Sequence, residues 1–235
     1  MGGDNKAERY SAILSVVAIG AAWGIFEATV GYALHSIAFP YSWMVWYPVA
    51  CFFMANAYLK TRKVSSILFV GLLCAAVKLL NLLLPGRIDR VINPAVSIVF
   101  ESLVMAAVIF AVKKLNDIKR KKPHVKALMA LSMNTGWRLL YILYIMFLVP
   151  GWMREISVIS SLEKFITFFI TQNLATSLII FLGYQFAGYI IKPIKRIDYG
   201  ISKAVNAVPV RLMPVIKTIV VTVLLGAHIA LELLL

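Results

Sequence analysis

The sequence has few of the residues that a soluble protein needs on its surface. Only 14% of its 235 residues are charged. Among the charged residues the acidic ones are in the minority, with 10 Asp and Glu against 24 Lys and Arg. Soluble domains carry about 25% charged and about 45–50% apolar residues, whereas 61% of this chain is hydrophobic. The composition argues against a soluble enzyme, a disordered tail and a nucleic-acid-binding module.

Cysteine, histidine and catalytic motifs are also scarce. Cys51 and Cys74 lie in apolar stretches at a spacing that fits neither a CxxC redox pair nor a zinc clip, so we expect two buried, inert thiols. The sequence contains no HExxH, GxSxG, Walker-loop or EF-hand pattern. Its 3 histidines are far apart, which argues against a catalytic zinc site. We therefore predict neither a metal nor a cofactor.

What the chain has instead is long hydrophobic runs. A helix needs about 20 apolar residues to cross the hydrocarbon core of a bilayer, and a helix satisfies its own backbone there. We predict an all-α, polytopic transmembrane bundle that forms one domain over residues 1–235, with six to seven spans. The predicted spans are 11–38, 41–59, 64–84, 91–112, 127–149, 165–191 and 218–235. The last is short and has no polar flank.

The basic residues indicate how this bundle is oriented. With the N-terminus in the cytoplasm, the cytoplasmic segments carry 18 Lys and Arg, the outer segments carry 4, and 2 lie inside spans. Lys and Arg accumulate on the cytoplasmic side of membrane proteins, so we predict a cytoplasmic N-terminus. The basic run 119–122 is then a cytoplasmic loop rather than a nucleic-acid site.

Four charged residues lie inside the predicted spans, where charge is costly and usually serves a purpose. They are Glu27, Lys78, Glu101 and Arg138, each on a different helix and at a similar depth. Charges at this depth avoid lipid only in the interior of the bundle. The sequence leaves two interpretations open. The four residues form a ligand site, or they pair with one another and hold the helices in register.

Amide side chains favour a site. Asn81, Asn134 and Asn173 lie near the depth of the four charges, and most of the polar residues lie toward the outer side. Polar groups in an otherwise apolar bundle are typical of a small-ligand pocket, which we expect to open outward. Asn93 has another interpretation, because Asn followed by Pro94 is typical of the N-cap and first residue of a helix.

The first span has two faces of small residues. Gly20, Gly24 and Glu27 share one face, and Ala18 and Ala22 lie on the opposite face. Small residues let helices approach closely in lipid. Either the alanine face contacts a partner subunit, or both faces contact helices of the same chain.

This layout resembles that of the substrate-binding S components of energy-coupling factor transporters, which are prokaryotic vitamin importers. The resemblance rests on the small size, six spans with a cytoplasmic N-terminus, the alanine face of the first helix and the outward polar pocket over about residues 11–191. It implies that Ala18 and Ala22 contact the shared membrane subunit. The seventh predicted span departs from that layout.

The sequence therefore leads to a solute-binding membrane protein of the prokaryotic cytoplasmic membrane. Glu27, Lys78, Glu101 and Arg138 would complement the charge of the solute, and the three amides would orient it. Its partners would be lipid, a small solute, and membrane and ATPase subunits, since the chain lacks a nucleotide-binding motif. The alternatives are an intramembrane enzyme acting on a lipid or isoprenoid, with Glu27 or Glu101 as base, and a structural or assembly subunit.

Overall fold

The computed structural model describes residues 12–27, 41–83, 87–113, 115 and 122–187. This part of the chain is helical and contains no strand, which confirms the predicted all-α class for these residues. The helices are α1 (Ala12–Glu27), α2 (Trp43–Thr61), α3 (Ser65–Leu79), α4 (Asp89–Val112), α5 (Pro123–Phe147), α6 (Gly151–Glu155), α7 (Leu162–Ile166) and α8 (Gln172–Gln185). The predicted span 218–235 and the distal part of 11–38 lie outside the described residues.

Two short irregular helical turns extend these elements. A 3-10 turn over Leu80–Leu83 continues α3, and a π-helical turn over Thr167–Thr171 joins α7 to α8. With these turns included, three segments of the described residues are long and apolar enough to cross a membrane: Ser65–Leu83, Asp89–Val112 and Leu162–Gln185.

The helix ends follow from local sequence. Pro123 occupies the first turn of α5, where its missing N–H costs least. Ser161 caps α7, because its hydroxyl accepts a hydrogen bond from the Lys164 backbone N–H at 3.2 Å. Helix α2 ends at Arg62, which adopts a left-handed conformation with φ 56° and donates its N–H to the Tyr58 carbonyl.

The interpretation of Asn93 as an N-cap is wrong. Helix α4 begins at Asp89, so Asn93 and Pro94 both lie within it. The Asn93 Oδ1 atom instead accepts a hydrogen bond from the Tyr144 hydroxyl at 3.3 Å. Asn93 therefore connects α4 to α5 rather than starting a helix.

Five helices pack around a common core. Helix α3 packs against α2 and α4, α5 packs against α4 and α8, and α8 packs against α2, which closes the ring. Residues of all five helices form the core, among them Met54, Ile67, Ile98, Met105, Met133, Trp137 and Ile180. Trp23 of α1 is also fully buried in this core, where it stacks on Phe53 of α2.

Glycines allow two of these close contacts. A Cβ atom on Gly71 of α3 would overlap the Ser102 side chain of α4. A Cβ atom on Gly20 or Gly24 of α1 would lie within 3 Å of α3 side chains, at 2.8 Å from Leu73 and 2.9 Å from Val77. The glycine face of α1 therefore packs on α3.

The two ends of the bundle are fixed by contacts between helices. At the upper end, which contains 80–83, 87–90 and 148–164, the Asn93–Tyr144 hydrogen bond joins α4 to α5. At the lower end, which contains 61–65, 113 and 122–126, Lys126 donates to the Tyr184 carbonyl and to Gln185 Oε1, each at 3.2 Å. Helix α3 is antiparallel to α4, and α8 is antiparallel to α5.

Candidate functional site

A buried polar cluster joins α5 to α8. Asn134 and Arg138 lie one turn apart on the same face of α5, with exposed fractions of 0% and 2%. Facing them on α8 are Asn173, Thr176 and Ser177, all buried and also spaced at helical intervals. We call these five residues the polar cluster. Buried polar groups are expected to be hydrogen-bonded, and the contacts of each member show how that is achieved.

Asn134 is the centre of the polar cluster. The two N–H donors of its Nδ2 group are shared among three acceptors, the Asn173 carbonyl at 2.7 Å, Ser177 Oγ at 3.0 Å and Thr176 Oγ1. Its Oδ1 atom accepts from Trp137 Nε1 at 2.9 Å and from Arg138 Nε at 3.2 Å. One amide therefore connects two helices and orients the neighbouring Arg138 guanidinium.

Arg138 is held by neutral groups. Its Nη1 atom donates to the Phe168 carbonyl at 2.8 Å, and its contacts with Gln172 Oε1 and Thr176 Oγ1 are each 3.5 Å long. The guanidinium carbon lies 4.8 Å from the centre of the Trp137 ring and 4.4 Å from that of Phe168. Aromatic faces stabilise a cation, so the two rings stabilise the charge of Arg138 although no described acid pairs with it.

The π-helical turn brings the Phe168 carbonyl to Arg138. In this turn the Gln172 N–H bonds to the Thr167 carbonyl, five residues back, instead of four. A π turn disturbs the i to i−4 ladder and is common at functional sites. The Phe168 carbonyl can therefore accept from a side chain of another helix, as it does from Arg138.

Asn173 makes a second connection between the helices. Its Nδ2 atom donates to Thr135 Oγ1 at 2.8 Å, and its Oδ1 atom accepts from Ser177 Oγ at 3.3 Å. Both ends of its side chain are therefore occupied within the α5–α8 interface.

The acids predicted to be near Arg138 do not pair with it. Within the described part of the chain, neither Glu27 nor Glu101 forms an ion pair with Lys78 or Arg138. Glu101 is buried on α4 and lies within electrostatic range of Arg138 and Glu27. Glu27 accepts a hydrogen bond from Trp23 Nε1 at 3.2 Å, and Lys78 is within electrostatic range of it. Helix clamps built from these ion pairs are not seen.

The other predicted residues occupy separate places. Asn81 is buried in the 3-10 turn after α3, at the upper end. Ala18 and Ala22 are exposed on α1, on the face that points away from α3. Of the seven predicted ligand residues, the structure thus joins Asn134, Arg138 and Asn173 by direct hydrogen bonds and leaves the remaining four outside that network.

A recess of about 370 Å³ opens beside the polar cluster at the upper end. It is lined by Ser157, Ser161, Glu163 and Lys164 of the segment before and within α7, so its polar lining carries one acid and one base. It is also lined by Phe168 and Gln172, the two residues that contact the Arg138 Nη1 atom. The recess therefore reaches the residues that cover the guanidinium.

The groups around the three predicted residues differ in how well the sequence reveals them. Thr176 and Ser177 share a face with Asn173, and this spacing is a usable signal. The Phe168 carbonyl has no sequence signal, because any residue has such a group and only the π turn directs it. Comparison of the chain with protein-family models, with curated proteins and with solved structures gives no match.

Proposed function

We propose that the protein is a polytopic protein of a prokaryotic cytoplasmic membrane, with its N-terminus in the cytoplasm, that binds a small solute beside Arg138. It would act as a transporter or as the substrate-binding subunit of one. The solute would enter through the recess at the upper end, which faces outward. One observation carries the proposal: a buried guanidinium that no described acid pairs with lies next to an open recess.

The helix surfaces support membrane insertion. Besides the three segments of sufficient length, large apolar side chains point away from the bundle on several helices. Phe69 of α3 is 62% exposed, Phe110 of α4 is 60% exposed and Phe147 of α5 is 72% exposed. Large apolar side chains exposed in this number are unfavourable in water and are favourable against lipid chains.

The charge distribution at the two ends supports the orientation. Among the described residues, the lower end carries no acid. Its basic residues are Lys60, Arg62, Lys63, Lys113, Lys122 and Lys126. The upper end carries fewer basic residues and also acids: Arg87, Arg90, Arg154 and Lys164, with Asp89, Glu155 and Glu163. An excess of Lys and Arg marks the cytoplasmic side, so the lower end would face the cytoplasm.

The chemistry of Arg138 supports an anionic group on the solute. A guanidinium has five N–H donors, and four hydrogen bonds are formed here, two of them at 3.5 Å. Both long contacts are weak enough to be exchanged for a carboxylate or phosphate, which a guanidinium binds through two parallel bonds. Rotation of the Gln172 side chain would open the way from the recess.

Partner subunits would supply energy for transport, because the chain lacks a nucleotide-binding motif. The glycine face of α1 is buried on α3, whereas Ala18 and Ala22 are exposed. We propose this alanine face as the contact with a membrane subunit of such a complex.

A binding screen of the full chain in lipid nanodiscs tests the solute site. Small solutes with a carboxylate or phosphate group, and neutral solutes of the same size, are added while the unfolding midpoint is measured. A solute present at 100 times its Kd stabilises a protein by about 2.7 kcal/mol. We expect at least one anionic solute, and none of the neutral ones, to raise the midpoint.

Two variants provide the control. Arg138→Gln removes the charge and should abolish the stabilisation, whereas Arg90→Gln removes an exposed arginine at the same end and should preserve it. Intrinsic tryptophan fluorescence checks that both variants fold. If no solute stabilises the wild type, or if a folded Arg138→Gln variant responds equally, the proposed solute site at Arg138 is wrong.

A further inference from the structure

Tyr47 has a buried hydroxyl without a hydrogen-bond partner. The residue is 1% exposed on α2, and within the described part of the chain its Oη atom forms no hydrogen bond of good geometry, although the Cys51 thiol, one turn along the helix, is close to it. Buried tyrosine hydroxyls usually find a partner, because an unpaired polar group in an apolar interior costs free energy. The Tyr47 hydroxyl therefore has an unused capacity to form hydrogen bonds.

Glu101 is the second unpaired group. Its side chain is only 6% exposed on α4, and within the described residues its carboxylate makes neither a hydrogen bond nor an ion pair. A buried carboxylate is normally paired or hydrogen-bonded. A carboxylate offers acceptors only, so the group that would satisfy it is a donor, ideally a cationic one.

Packing places Glu101 level with Arg138. On the facing helices, a Cβ atom on Gly136 would lie 2.6 Å from the Val104 side chain, so these two residues are directly opposite. Glu101 lies three residues above Val104 along α4, and Arg138 lies two residues above Gly136 along α5. At about 1.5 Å per residue, the two charged residues differ in height by only about 1.5 Å.

Tyr47 and Arg138 both pack against the ring of Trp137. The Tyr47 and Trp137 ring centres are 5.5 Å apart, and the Arg138 guanidinium lies 4.8 Å from the Trp137 ring. Tyr47 and Glu101 are also within electrostatic range of each other. Tyr47 of α2 and Arg138 of α5 thus pack on the same Trp137 ring, and Glu101 of α4 lies at the height of Arg138.

We infer that the solute of the Arg138 site is a zwitterion, with an ammonium group that binds Glu101 and Tyr47 and a carboxylate that binds Arg138. This inference rests on the proposed function and names its substrate class. An ammonium group donates three hydrogen bonds, which match two carboxylate oxygens and the Tyr47 hydroxyl. Such a solute would satisfy both unpaired groups and the spare N–H of Arg138 at the same level of the bundle.

Matched solutes test the charge requirement. The probes are the common amino acids with uncharged side chains other than proline and, for each one, its carboxamide, which keeps only the cation, and its des-amino acid, which keeps only the anion. Binding to the full chain in nanodiscs is measured from the shift of the unfolding midpoint. We expect at least one amino acid to bind about tenfold or more tightly than both of its single-charge analogues, because each analogue leaves a buried charge unpaired.

Variants assign the preference to the two residues. Glu101→Gln should reduce the affinity for that amino acid by at least about tenfold and leave the affinity for its des-amino acid unchanged. Tyr47→Phe removes an oxygen that has no partner, so it should fold as stably as the wild type and still lower the ratio of the two affinities. Glu155→Gln removes an exposed acid at the upper end and should change neither affinity.

The possible outcomes separate this inference from the proposed function. If des-amino acids bind as tightly as amino acids, or if both Glu101→Gln and Tyr47→Phe keep the wild-type ratio, the zwitterion is wrong while the Arg138 site stands. If no probe of any charge binds the wild type and the anion screen is also negative, the proposed function fails as well.

Discussion

Arg138 on α5 and Phe168 in the π turn hold each other by two contacts. The Arg138 Nη1 atom donates to the Phe168 carbonyl at 2.8 Å, and the guanidinium carbon lies 4.4 Å above the Phe168 ring. One phenylalanine therefore supplies both an acceptor and an aromatic face to a buried cation. Because Phe168 also forms part of the recess, a change at Arg138 should affect both stability and solute binding.

The first prediction concerns the shape of the guanidinium. Arg138→Lys keeps the positive charge, but an ammonium group cannot reach Asn134 and Phe168 from opposite sides as the planar guanidinium does. We expect the free energy of unfolding to fall by about 1–2 kcal/mol, measured by denaturant titration in detergent.

Arg154→Lys is the matched control for this substitution. The Arg154 Nε atom donates one hydrogen bond to the Val149 carbonyl at 2.8 Å, and the residue is exposed. Its replacement should change the unfolding free energy by no more than about 0.5 kcal/mol. Equal losses in the two variants would contradict the special role of the Arg138 geometry.

The second prediction concerns Asn134. Asn134→Ala removes the acceptor of Trp137 Nε1 and Arg138 Nε and the donor that reaches α8. We expect a loss of about 2–3 kcal/mol in unfolding free energy, because buried donors are left without partners. Asn56→Ala is the control, since Asn56 makes one hydrogen bond to the Phe52 carbonyl of its own helix. A similar loss in both variants would show that Asn134 does not organise the cluster.

The third prediction concerns the contact of α3 with α4. Gly71→Ala places a methyl group on the Ser102 side chain, so the helices must move apart. We expect a loss of about 1–3 kcal/mol in unfolding free energy. Gly183→Ala is the control, because nothing lies within 4 Å of its added Cβ, and a helical alanine is favoured over glycine by about 0.5–1 kcal/mol. An unchanged Gly71→Ala variant would contradict the packing of these helices.

The fourth prediction concerns orientation. Cys51 and Cys74 are buried and free, so a membrane-impermeant maleimide should not label the wild type in intact cells. Ser160→Cys at the upper end should be labelled from outside, whereas Lys63→Cys at the lower end should be labelled only after the cells are permeabilised. The opposite pattern would reverse the proposed topology.

Much of the fold could be predicted from sequence, because apolar runs determine where helices form. The predicted spans 64–84 and 91–112 closely match Ser65–Leu83 and Asp89–Val112. The span 165–191 could not be predicted in detail, since the helical segment begins at Leu162 and contains a π turn. Asn93 was misassigned as a cap because α4 starts one turn earlier, at an acidic residue that favours a helix N-terminus.

The site could be predicted only in part. Asn134, Arg138 and Asn173 were identifiable because polar residues inside an apolar run are costly. Their partners were not, since the number of acids and bases in the spans suggested ion pairs. The structure instead satisfies Arg138 with an amide oxygen, a backbone carbonyl and aromatic rings, and backbone acceptors and ring faces leave no charge pattern in a sequence.

The most direct measurement of the central claim is equilibrium binding of a radiolabelled solute, taken from the nanodisc screen, to wild-type, Arg138→Gln and Arg90→Gln proteins. We predict saturable binding of about one solute per chain to the wild type and to Arg90→Gln, and at least about a tenfold weaker affinity for a folded Arg138→Gln protein, since a lost charge-assisted contact costs about 1.5–3 kcal/mol. Equal affinity of all three proteins, or uptake that does not saturate, would contradict a solute site at Arg138.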